Sequence, residues 1–127
     1  MAQESQSPAA MIDDLLRFLP GFEEPGRASF AEWKTYYPVY DVDVAEFIKH
    51  ASRPWWMDRN YLAHPAHEML ADDTFIQAAS LDEIKTMLTF CARGERFSDG
   101  VWESMLKNGR IQSLLRRLQV LRAAMTA

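Results

Sequence analysis

Residues 97–121, FSDGVWESMLKNGRIQSLLRRLQVL, decide how this chain is read. Ser98 can cap a helix, and Asp99 suits the positive N-terminal end of a helix dipole. Val101, Trp102, Met105 and Leu106 recur at helical spacing. Asn108-Gly109 then signals a helix end, because glycine tolerates the left-handed backbone found there. Ile111, Leu114, Leu115, Leu118 and Leu121 make the apolar stripe of a last helix. Arg110, Gln112, Arg116, Arg117, Gln119 and Arg122 occupy its other side. The stretch therefore predicts a C-terminal helical hairpin.

Working back from the hairpin, Ser80-Leu81-Asp82-Glu83 is a capping box. It opens a helix that buries Ile84, Met87, Leu88 and Cys91, with Gly94 as its stop. Asp72-Asp73 begins a short segment with Phe75 and Ile76. Asp58 to Ala71 reads as helix, bent or split at Pro65. Asp41 or Asp43 caps a helix with Val44, Phe47, Ile48 and Ala51 on one face. Ser29 and Glu32 form a second capping-box pattern, predicting a short helix to about Tyr37. Ser7-Pro8 opens the first helix, carrying Met11, Ile12, Leu15, Leu16 and Leu19, and Pro20-Gly21 stops it. No convincing alternating strand appears. The expectation is an all-α, compact single-domain bundle of about six helices over residues 8–127, with a flexible tail at 1–7.

The 127 residues are 48% hydrophobic, enough for one core without disulfide or metal. No apolar run approaches the roughly 18 residues of a membrane span. The first residues, MAQESQSPAA, lack the basic and apolar regions of a secretory signal. Cys91 is the only cysteine, so no intrachain disulfide forms. A cytoplasmic location is expected, with no membrane partner. The net charge of −4 conceals an acidic body and a basic end, since residues 101–127 alone carry +4. The acidic total counts against a dedicated nucleic-acid binder.

The segment Leu70 to Leu121 resembles an uncharacterised family of small bacterial domains of unknown function. The resemblance is carried by LDEIKTMLTF, by the Arg93, Arg96-Phe97 and Gly100 pattern in ARGERFSDG, and by GRIQSLLRRLQVL. LLRFLPGFEEPG, Leu15 to Gly26, resembles the start of that family. The resemblance implies a mostly helical fold and a prokaryotic or phage origin. It implies no activity.

Four constellations could carry function. Arg93, Arg96 and Arg110 flank the Asp99 turn and could cradle an anion, or hold the loop by pairing with Asp99, Glu95 and helix carbonyls. Arg110, Arg116, Arg117 and Arg122 could contact a phosphate backbone, yet no aromatics interleave with them, and pairing with the acidic N-terminal half is the plainer reading. HPAHE at 64–68 spaces its histidines by three around a proline, unlike the four-residue spacing of helical zinc sites. No metal or cofactor is expected. The aromatic zone Phe30 to Tyr61 is the fourth. Adjacent Trp55 and Trp56 cannot share one face, so one of them is expected to be partly exposed.

No nucleophile elbow, phosphate loop or nucleotide fingerprint is present, and no catalytic residue is assigned. The best expectation is a non-enzymatic module that binds a protein partner through Trp55, Trp56, Tyr37, Tyr40, Asp41, Asp43 and Glu46. One form would be a phage-type inhibitor of a host nucleic-acid enzyme. Nucleic-acid binding by the last helix, and an anionic ligand at Arg93, Arg96 and Arg110, are the alternatives. A homodimer is a further expectation.

Overall fold

The computed structural model describes residues 7–125. Of the tail expected at 1–7, only Ser7 lies within that range, and it is ordered as a helix cap. Its hydroxyl accepts from the Ala10 amide at 3.2 Å and opens α1, Pro8–Leu16. Pro20 does not stop this helix. α1 ends at Leu16, and Pro20 sits in the first turn of α2, Leu19–Phe22, where no amide bond is needed.

The expected helix after Ser29 is a β-hairpin. β1, Ala31–Trp33, pairs antiparallel with β2, Pro38–Tyr40. The Ser29 hydroxyl donates to the Ala31 carbonyl at 2.9 Å instead of accepting from a helix amide, so the capping box never closes. α3, Val42–Ala51, follows at Asp41. The chain then makes two single 3-10 turns, Pro54–Trp56 and Tyr61–Ala63. His64 is extended, as the residue before a proline prefers, and α4, Ala66–Ala71, starts only past Pro65. Asp72 caps α5, Asp73–Gln77, through the Phe75 amide at 3.2 Å.

The Ser80–Glu83 capping box is present in both directions, at 2.8 and 3.1 Å, and starts α6, Leu81–Phe97. This helix runs through Gly94. A Cβ there would lie 3.3 Å from Val101 Cγ2, so the glycine serves the close approach of the next helix. Ser98 ends α6 and does not cap α7, Val101–Lys107. Gly109, at φ 83°, turns the chain into α8, Arg110–Ala123.

The described residues thus form a predominantly helical fold of eight α-helices and one small hairpin, where about six helices were expected. α7 and α8 make the predicted C-terminal hairpin, packed on α6. α8 also touches α1, α2 and α5, and α6 touches α3 and α4. One continuous core runs from Met11 to Leu118. Phe22, Phe30, Phe47 and Trp102 meet edge to face within it, with centroids 5.2 to 6.0 Å apart. Among the described residues no helix is long and apolar enough to cross a membrane.

Candidate functional site

The hairpin is held against the α6–α7 corner by two acidic side chains. Glu95, inside α6, reaches across the turn and accepts from the Gly100 and Trp102 amides, both at 2.9 Å. It therefore does for α7 what a side-chain cap would do. The Tyr40 hydroxyl donates to the same carboxylate at 3.0 Å. Burial, and then the Glu95 charge, push the Tyr40 phenol above its ordinary pKa, so it remains a donor. Glu103 of α7 is 6% exposed, accepts from Trp33 Nε1 at 2.5 Å and pairs with Lys107 at 3.7 Å. Gly100, at φ 98°, lies directly beneath Trp33. A Cβ there would stand 2.8 Å from the indole. Both carboxylates are spent on fixed donors, which suits a clamp and not acid–base chemistry.

Several apolar side chains of the hairpin and its neighbours are exposed. Tyr36 is 83% exposed, Tyr37 53%, Val39 45% and Phe97 87%. Trp33 and Val42 are exposed as well. Phe97 ends α6 two residues after Glu95, the residue that ties the hairpin to this helix through Tyr40.

The predicted contact residues fall differently. Trp56 is completely buried, T-shaped against Trp55 at 4.9 Å, and its carbonyl accepts from Thr89. Trp55 is half-buried, with the Lys85 ammonium 3.7 Å above its ring. Neither is an open anchor, because the 3-10 turn directs one ring into the core and lays the other along α6. Tyr40 points inward to Glu95. Tyr37 is exposed. Asp41 and Asp43 both bind Arg27, at 3.0 and 2.7 Å. The Arg27 hydrogen bond holds the Asp43 carboxyl below its usual range. Of the predicted acidic trio only Glu46 is without a bonded partner among the described residues. Trp33 and Tyr36 lie within the expected aromatic zone, whereas Val39 and Phe97 were not among the expected contact residues. A helical reading of 29–37 hides the hairpin, whose alternation sets Glu32 and Val39 on one face and Trp33 and Tyr40 on the other.

The arginines do not converge. Arg110 donates to the Ala71 carbonyl at 3.2 Å and faces Asp73 at 4.0 Å. Arg117 donates to the Ala79 carbonyl at 2.8 Å, Arg116 pairs with Glu23, and Arg122 pairs with Asp13 at 3.0 Å. These are internal bonds that tie α8 to the N-terminal helices and to α4–α5. Arg93 and Arg96 are exposed on α6, and no bond links either to Arg110 or Asp99 among the described residues.

A cleft of about 530 Å³ lies between the 57–65 loop and α6, lined by Met57, Asp58, His64, Met69, Lys85 and Thr86 among others. Its Asp58 is consumed locally. Thr86 Oγ donates to it at 2.6 Å and the Asn60 amide at 2.9 Å, which together keep the carboxyl below its usual range. His67 packs on Phe90, and no group of three metal-ligating side chains converges among the described residues. Cys91 is fully buried, and burial pushes its thiol up to about 12, so it is no nucleophile.

Compared with known proteins, residues 7–124 match the model of a family of unknown function, DUF6508, and the chain belongs to that family. The resemblance read from Leu15–Gly26 and Leu70–Leu121 thus extends across the middle of the chain as well. No curated protein and no solved structure matches it.

Proposed function

For this member of a family of unknown function, we propose a non-enzymatic protein-binding module whose contact surface is the clamped hairpin corner. The observation that carries the reading is the run Tyr36, Tyr37 and Val39, exposed on a hairpin whose Trp33 and Tyr40 are bonded to Glu103 and Glu95, with Phe97 exposed at the end of α6. Aromatic rings on a preorganised support bury large area at small entropic cost, which is what interface anchors require. Isolated exposed apolar residues are ordinary, but three within positions 36 to 39 of one hairpin form a cluster. The internal pairing of the α8 arginines weighs against a phosphate-contacting helix.

The experiment is affinity capture from lysate of the source cell, nuclease-treated, followed by binding of the purified captured protein. Wild type should bind it, and Trp55→Ala, placed away from the patch, should bind equally. The Tyr36→Ala/Tyr37→Ala/Phe97→Ala variant should bind at least about ten-fold more weakly. Equal binding by the triple variant, or capture abolished by nuclease, would refute the reading.

A further inference from the structure

The two edges of the hairpin are not alike. The ladder is closed by the Asp41 amide on the Phe30 carbonyl at 3.0 Å and by the Lys34 amide on the Tyr37 carbonyl at 2.8 Å. Bonded and non-bonded pairs alternate in an antiparallel ladder. With Ala31 opposite Tyr40, Glu32 opposite Val39 and Trp33 opposite Pro38, the even positions of β1 bond to β2. Ala31 and Trp33 therefore turn their amides and carbonyls outward. On β2 the outward pair is Pro38 and Tyr40, and Pro38 has no amide to offer. Proline is a usual device for blunting an edge. β1 carries no such device at Trp33. Its outward amide and carbonyl have no partner among the described residues, while Ala31 is buried and its carbonyl takes the Ser29 hydroxyl, so the edge is open at Trp33.

The side chains beside that open edge have a symmetry of their own. Glu32 and Lys34 flank Trp33, carry opposite charge, and are 77% and 49% exposed. In an antiparallel pairing of β1 with itself, centred on Trp33, position 32 of one copy faces position 34 of the other. Each glutamate then meets a lysine, twice. The two Trp33 residues exchange amide and carbonyl bonds, and their indoles, 47% exposed in the monomer, come side by side. Within one chain Lys34 already reaches Glu32, but only at 3.4 Å on an exposed surface, a weak contact that a second copy can replace.

We propose that a second copy of this chain pairs along the open edge of β1, joining two hairpins into one four-stranded sheet about a two-fold axis at Trp33. An isologous contact needs a self-complementary surface, and the Glu32-Trp33-Lys34 sequence supplies one. Pairing through β1 does not depend on the aromatic tip having another partner, so failure of either reading leaves the other standing.

Sedimentation equilibrium on the full chain between about 5 and 500 µM tests it, since dimer content must rise with concentration. Wild type should move from one chain mass toward two. Glu32→Lys and Lys34→Glu each place like charges across the axis and should weaken association at least about ten-fold. An equimolar mixture of the two variants should recover the dimer, because their charges now complement one another. Circular dichroism establishes that each variant is folded. A wild type that stays monomeric throughout, a dimer indifferent to both substitutions, or a mixture of folded variants that fails to associate would each overturn the proposal.

Discussion

Two regions of the molecule are built by different means. Between Leu81 and Ala123 the helices begin and end on signals a few residues away. The Ser80–Glu83 box and the Asn108-Gly109 turn are examples, and the apolar stripes do the rest. Between Glu23 and Pro65 the chain is held by bonds that cross the fold. Arg27 binds Asp43 16 positions away, the Asp58 amide binds Thr89 at 31, Tyr40 binds Glu95 at 55, and Trp33 binds Glu103 at 70. In the first region side chains are consumed by the core. In the second, Phe30, Val44, Phe47 and Trp56 join the core, polar side chains make the clamps, and Tyr36, Tyr37 and Val39 face solvent. Structure and recognition are thus divided between the two, with Glu95 and Glu103 as the link.

Breaking the first region should cost most. Trp102→Ala removes a ring that is 1% exposed and packed on Phe47, and should lower stability by about 3–5 kcal/mol in urea unfolding. Next comes the link. Glu95→Ala strands the Gly100 and Trp102 amides and the Tyr40 hydroxyl, for an expected loss of about 2–3 kcal/mol, together with a shift in Trp33 fluorescence as the hairpin loosens. Should Glu95→Ala change stability without touching Trp33, the hairpin is not held from that corner. Gly100→Ala combines a left-handed backbone with a clash against Trp33 and should cost about 1–2 kcal/mol.

A smaller effect sharpens the same comparison by pH. The folded-state pKa of Tyr40 lies above the ordinary phenol value, chiefly through burial and then through Glu95. Its stabilising contribution is therefore complete below about pH 10 and is lost as pH rises through the folded value. Wild-type stability should fall in that alkaline range, and Tyr40→Phe should remove part of the fall. An identical alkaline profile in Tyr40→Phe would deny the phenol its role. Smallest of all, Tyr36→Ala should leave stability within about 0.5 kcal/mol by the same unfolding assay, because the ring touches little and its worth lies in binding.

Most local signals act between neighbours in sequence, although Pro20 opens α2 where a stop was expected and Ser98 ends α6 where a cap for α7 was expected. Ser7-Pro8, Asp72, Ser80 and Gly109 all act where the residue types place them. The failures share a cause. Gly94 looks like a helix stop, but its missing side chain makes room for Val101. Ser29 and Glu32 look like a capping box, but Ser29 turns to the Ala31 carbonyl and the segment pairs with Pro38–Tyr40. Asp41 and Asp43 look like a free acidic surface, but Arg27 binds both. Trp55 and Trp56 are equivalent on paper, and only the packing on α6 decides which is buried.

What the amino-acid sequence determined by itself is the predominantly helical class, the α6–α8 frame and its family membership, because helix caps and apolar periodicity act over one or two turns. Only the tertiary structure decided the hairpin, the carboxylate clamps and the identity of the exposed aromatics. A three-residue strand has too little propensity to declare itself, and a polar side chain shows its use only when a donor from a distant segment reaches it.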